Sequence, residues 1–172
     1  MNRRIAIAAL LAGTAVLGAC KKNPPESLPP EPQPTATSGP VTTDDGTAAG
    51  VLGTQAHFVN AVNGQNVIYF DTDQYNVDSA DAAALQSQAA YLNQYPQISV
   101  TIEGHCDERG TREYNLALGE RRANAAKNYL VSLGVAAGRV STVSYGKERP
   151  VAMGSDEGSW AQNRRAVSVV VN

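Results

Sequence analysis

The run from Glu103 to Asn115 gathers more reactive side-chain types than any other part of this 172-residue chain. His105, Cys106 and Asp107 are consecutive, with Glu103 and Glu108 on either side and Arg109, Gly110, Thr111, Arg112 and Glu113 beyond. A cysteine–histidine nucleophile or a metal site needs its ligands converging, and three neighbouring residues splay theirs. The only other histidine, His57, is far away in sequence. Cys106 reads as a small, inert, partly buried residue. Ser144-Tyr145-Gly146-Lys147 has the S-x-x-K spacing of penicillin-binding enzymes, but it ends a strand and lacks the S-D-N and K-T-G companions. Glu103, Asp107 and Glu108 offer carboxylates without the cleft that glycosidic cleavage requires. Nothing here commits the chain to catalysis, to a metal or to a cofactor. What the stretch does suit is binding: a strand end, a glycine-punctuated loop and a helix start, where backbone N–H groups and the helix dipole favour a carboxylate.

Those side chains need elements to place them. Ile98, Val100 and Ile102 alternate with Ser99, Thr101 and Glu103, the period of a half-buried strand. Leu116, Gly119, Ala123, Ala126, Leu130 and Leu133 step by three and four, which predicts a long helix from about Glu113 to a glycine cap at Gly134. Upstream, Asp78 or Ser79 caps a helix carrying Leu85, Ala89 and Leu92 and ending before Pro96. Asn66 to Phe70, Val140 to Tyr145 and Ala166 to Val171 read as further strands, and Thr54 opens a short first helix ending near Gly64. The order (α)βαβαββ implies an α/β two-layer sandwich, with helices on one face of a small mixed four-stranded sheet. Tyr114, Tyr129 and Leu130 are expected in the core.

Composition divides the chain. All ten aromatic residues lie between Phe58 and Trp160, so residues 51–172 form the folded unit. Residues 20–50 contain no aromatic residue and seven of the nine prolines, a composition that predicts a disordered, partly extended tether. Residues 1–19 read as a signal peptide: Arg3 and Arg4, an apolar run from Ile5 to Leu17, then Gly18-Ala19-Cys20. That run is too short to span a bilayer. A net charge of −2, from 14 basic and 16 acidic residues, gives no general reason to bind nucleic acid.

Two resemblances add to this. Leu17-Gly18-Ala19-Cys20 resembles the lipobox of bacterial lipoproteins, which implies cleavage before Cys20 and acylation of it. Lys21 stands where aspartate would signal inner-membrane retention, so the resemblance implies an outer-membrane lipoprotein facing the periplasm. Gly104-His105, Asp107, Gly110, Tyr114-Asn115, Leu118 and Arg122-Ala123, followed by Asn163-Arg164-Arg165, resemble the OmpA-like peptidoglycan-binding domain over roughly Val67 to Val171. More narrowly, Asp107-Glu108-Arg109-Gly110-Thr111 and Val143-Ser144-Tyr145-Gly146 are similar to that family's lipid-anchored members. The family binds the diaminopimelate of peptidoglycan stem peptides without covalent chemistry. By motif position the resemblance implies Asp107 for the ligand's ammonium and Arg122 for its carboxylate, with Asn115, Arg164, Asp71 and Asp73 around them. It further implies TolB and the Tol complex as partners, and a role in envelope integrity and division. The rival reading is a lipid-anchored protein-interaction module that binds no wall.

Overall fold

Val100 and Ile102 are nearly without solvent exposure, while Ser99, Thr101 and Glu103 between them remain partly exposed. That alternation gives the sheet one face that must be covered, and the helices cover it. The computed structural model describes residues 50–171. The expected signal peptide, Cys20 and the tether as far as residue 49 lie outside the described residues.

Among the described residues four α-helices and four strands follow in the order α1 (Gln55–Ala61), β1 (Val67–Tyr69), α2 (Ser79–Gln94), β2 (Ser99–His105), α3 (Arg112–Ser132), β3 (Val140–Gly146), α4 (Glu157–Asn163) and β4 (Arg165–Val171), with a 3-10 turn at Ala137–Arg139 ahead of β3. The sheet order is β1-β4-β2-β3. Strands β2 and β3 are parallel and joined through α3, whereas β4 runs antiparallel to both β1 and β2. This is the mixed α/β sandwich expected from the sequence.

Each helix begins at a residue able to accept from its own first turn. Thr54, Asp78, Thr111 and Asp156 accept from the backbone N–H groups of His57, Asp81, Tyr114 and Ser159. Helix α3 ends at Gly134, whose φ of +95° needs a residue without a Cβ. The core joins Phe58 of α1, Leu85 and Leu92 of α2, and Ala123 and Leu130 of α3 to Val100 and Ile102 of β2.

Two expectations change. Strand β1 is shorter than read, though the Asn66 carbonyl still accepts from the Ser168 N–H and the Phe70 N–H donates to the Arg164 carbonyl. The stretch ahead of the last strand forms helix α4, which the (α)βαβαββ order omitted. Its seven residues are too few to show a period, and Asp156 starts it by accepting from both the backbone and the hydroxyl of Ser159.

Helix α3 meets the sheet at a glycine pair. A Cβ on Gly104 would collide with the carbonyl of Gly119, and one on Gly119 would strike Ser144 Oγ. This close approach sets the height of α3 above β2, and thereby places the loop between them.

Candidate functional site

Asp107, in that loop, lines a cleft. The carboxylate is 9% exposed and is held from one side by Arg109. Arg109 Nη2 donates to Asp107 Oδ2 at 2.7 Å, and both Nε and the backbone N–H donate to Oδ1 at 3.1 Å. Arg164 Nη1 lies 3.5 Å from Oδ2. Burial alone would push the Asp107 pKa up, but hydrogen bonds from Arg109 and Arg164 outweigh it and hold the pKa below its ordinary value. Asp107 is therefore an anion between two guanidiniums.

The loop is pinned from within. Asn115, at the start of α3 and 2% exposed, donates through its amide nitrogen to the carbonyls of Arg109 (2.7 Å) and Thr111 (3.1 Å). Lys147, past the end of β3, donates to the carbonyls of Glu108 and Gly110. Gly110 has φ +82°, the one left-handed turn in the loop. Cys106 is buried, its thiol pKa raised chiefly by that burial, and its Sγ donates to the Asn115 carbonyl at 3.3 Å.

Arg122, which the resemblance assigns to the ligand's carboxylate, is held by backbone groups. It is wholly buried, and its guanidinium donates to three backbone carbonyls: Gln74 at 2.8 Å, His105 at 2.9 Å and Asp71 at 3.0 Å. Phe70 lies beneath it, 5.2 Å from ring centroid to Cζ. Its contacts tie the loop after β1 to the end of β2. It forms no ion pair with Asp107, whose cationic partners are Arg109 and Arg164. Burial lowers the Arg122 pKa, but an arginine stays charged in a protein, so the three carbonyl dipoles are its counter-charge.

Asp71, Asp73 and Arg164 complete the expected set. Asp71 is exposed and supplies its carbonyl to Arg122, while Asp73 adopts φ +57° and accepts from the Tyr114 hydroxyl at 3.3 Å. Arg164, at the end of α4, is 5% exposed and donates to the Phe70 carbonyl and to Glu157. A cleft of 260 Å³ lies among Thr72, Asp73, Asp107, Arg109, Tyr114 and Asn115. A second cleft, of 320 Å³, has Asp71 and Arg164 on its wall. Tyr114, expected in the core, is 43% exposed and lines the first cleft instead. Among the described residues no group of His, Cys, Asp and Glu side chains is placed to hold a metal ion.

The OmpA family model matches residues 69–164, a segment that contains every residue of this site. The chain belongs to the OmpA family. A peptidoglycan-associated lipoprotein of Mesorhizobium japonicum is 44% identical over 170 residues, covering 99% of this chain and 94% of that one. One from Rhizobium meliloti is 53% identical over 125 residues, 73% of this chain and 70% of that one. Among solved structures, the peptidoglycan-associated lipoprotein of Burkholderia pseudomallei superposes with a TM-score of 0.63 at 49% identity, covering 66% of this chain and 99% of that one. The C-terminal domain of Helicobacter pylori MotB shares the fold at 18% identity, with a TM-score of 0.58 and coverage of 62% and 84%. The Mesorhizobium similarity extends beyond the OmpA domain into the N-terminal segment.

In this OmpA-family domain the structure brings Asp107, Asn115 and Asp73 to one cleft and sets Arg164 behind Asp107. It leaves Asp71 on the neighbouring wall and Arg122 beneath the floor. Two participants were not singled out from the sequence. Arg109 grips Asp107, and Trp160 of α4 supports Arg109, whose Cζ stands 4.2 Å above the indole ring. Arg109 lay inside the quoted Asp107-to-Thr111 motif. Its closeness to a tryptophan 51 positions later is invisible without the fold.

Proposed function

We propose that the chain is an outer-membrane lipoprotein that grips peptidoglycan by non-covalent recognition of the diaminopimelate side chain. One observation carries the reading: a buried, ionised carboxylate, Asp107, opens onto a cleft of amino-acid size with arginine beside it. The free end of diaminopimelate bears an ammonium and a carboxylate on one carbon. Such a head needs an anion and a cation within a few ångströms of each other, in a site partly shielded from water. Asp107 supplies the anion. Asn115 and Asp73 shape the walls, Arg164 backs Asp107, and Arg122 acts by holding the 71–74 loop in place.

The names of the relatives support wall association, and the lipobox-like Leu17-to-Cys20 supports a lipid anchor at Cys20. Two or more acyl chains hold a protein durably on a membrane where one does not. With residues 1–19 removed, residues 20–50 would serve as the tether between that anchor and the 51–172 domain. Membership of the Tol system, with TolB as soluble partner and a part in envelope integrity and division, belongs to this proposal through the family resemblance.

Sedimentation with purified sacculi tests it. Wild-type protein should pellet with the wall, and Asp107→Ala should lower the bound fraction about tenfold, the scale of one lost charge-assisted contact. An Asp107→Ala protein with native circular dichroism that pellets as wild type does would overturn the site.

A further inference from the structure

A helix face that meets only water carries charge, as α3 does with exposed Arg112, Glu113, Glu120 and Arg121. Helices α1 and α2 do not. No lysine, arginine, aspartate or glutamate occurs in residues 46–70 or 82–102. Beyond its first turn α2 exposes Ala83, Gln86, Ala90, Asn93 and Gln94. A surface emptied of charge but keeping its amides has the composition of a contact face.

A cleft of 330 Å³ lies in this face, between α1 and the later turns of α2. Its aromatic wall is fixed in advance. Tyr91 is buried, and its hydroxyl lies 2.8 Å from His57 Nδ1. The Tyr95 ring stands 4.8 Å from that of Tyr91 and meets His57 edge-on at 5.6 Å. Tyr95 also caps α2, its N–H donating to the Tyr91 carbonyl while its own carbonyl accepts from Arg139 at 2.9 Å. Polar groups share the cleft. The bond to Tyr91 leaves His57 Nε2 unpaired among the described residues, and the Gln94 amide and Ser87 hydroxyl lie on the same lining.

That lining holds no carboxylate, no lysine or arginine and no branched aliphatic side chain among the described residues. A charged ligand would find no counter-ion there, and an apolar one would cover polar groups without pairing them. A saccharide satisfies both demands: its C–H faces lie against the rings, and its hydroxyl and acetamido groups pair with the polar side chains. We propose that the α1–α2 cleft binds the neutral N-acetylated glycan strand of the cell wall, separately from the Asp107 cleft. The choice of the wall's own saccharide rests on the wall-binding reading given above. The two clefts stand at opposite ends of α2. Asp81 in its first turn accepts from Tyr69, just ahead of the 71–74 loop, whereas Tyr95 closes its last turn. A helix of 16 residues separates them by roughly 24 Å. One domain thus holds a stem peptide and a glycan strand together, each contact keeping the other close at hand.

The probe is tetra-N-acetylchitotetraose, which has the glycan's linkage and acetamido groups but no peptide. In nitrogen-15 NMR of the full-length protein in a sugar-free detergent, it should shift the amides of His57, Ser87, Gln94 and Tyr95. Those of Asp107 and Asn115 should stay in place. Tyr95→Ala should weaken binding about tenfold, the scale of one lost ring contact. Ala90→Arg, at an exposed position on the lining, should fill the cleft and abolish the shifts with an unchanged urea midpoint. Asp107→Ala should bind the probe as wild type does. Unmoved cleft amides in excess probe, or a folded Ala90→Arg protein that binds as wild type does, would overturn the inference and leave Asp107 standing. Shifts that Asp107→Ala abolishes would overturn it too, by placing the saccharide in the other cleft. Failure of the wall-binding reading shows differently, as wild-type protein that sacculi leave in the supernatant.

Discussion

His105 sits directly before the loop that carries Asp107, 2% exposed, with neither ring nitrogen hydrogen-bonded among the described residues. Burial, then the charges of Arg165 and Arg149, lower its pKa to about 4. The ring is therefore neutral at pH 7, and its 3.6 Å approach to Glu103 is no ion pair there. In the unfolded chain the imidazole takes a proton near pH 6.5, in the folded chain only near 4, so acid favours unfolding across that window. The stability at stake is on the order of 3 kcal/mol, present above pH 6.5 and lost as pH falls towards 4. Asp107, with its lowered pKa, adds its own loss only below the ordinary carboxylate range. Urea midpoints at pH 7 and 4.5 should thus drop steeply for wild type and much less for His105→Asn; an equal drop in both would remove His105 as the cause. At this scale the sequence was legible where a residue's role follows from its neighbours in the chain. Asp107, just ahead of Gly110 and a helix start, lines a cleft as its place in the loop suggests, and Cys106 is buried as a small residue there should be. Tyr114 misled because its place depends on the carboxylate of Asp73, 41 positions away, and the carbonyls that Arg122 reaches, those of Asp71 and Gln74, are as far off in the chain.

Helix α3 is the element on which the cleft depends, since it carries Thr111 as its cap, Asn115 in its first turn and Arg122 in its middle. Its contact with the sheet passes through Gly104 and Gly119, where backbone meets backbone with no room for a side chain. The regular +3 and +4 steps made α3 readable from sequence, and its observed limits differ from the expected ones by a residue. The glycine in that stripe shows only that something small is needed, whereas the partner Gly104 comes from β2 and requires the fold. Gly104→Ala should push α3 outwards and cost about 1–3 kcal/mol, the range for overpacking a close contact. Gly138→Ala, which meets nothing within 4 Å, is the control and should be nearly neutral. Because the displaced helix bears Asn115 and Arg122, Gly104→Ala should also weaken sacculus binding under conditions where it remains folded. Equal urea midpoints for the two alanine variants would show that the glycine pair does not set the helix height. Helix α4 teaches the converse: too short for a period, it nevertheless brings Trp160 and Arg164 to the site.

At the scale of the whole molecule, a weak grip can hold a membrane to a wall because the lipid confines it. On the proposed reading, an anchor at Cys20 and a cleft at Asp107 would make attachment bivalent, so the second contact would form at an effective concentration set by the chain between them. That chain matters through its length. Deleting residues 24–40 would remove roughly 50 Å of contour at about 3.1 Å per residue, if its prolines keep it extended. The two contacts should separate cleanly. Cys20→Ser should release the protein from membranes while its domain still pellets with sacculi, and Asp107→Ala should do the reverse. The deletion variant keeps both contacts, so it should bind vesicles alone and sacculi alone as wild type does. It should nevertheless fail to carry vesicles down with sacculi, because the shortened chain cannot engage both surfaces at once. Vesicle–sacculus co-sedimentation equal to wild type would show that residues 24–40 do not supply the reach, and would move that role to the remaining segment ahead of α1.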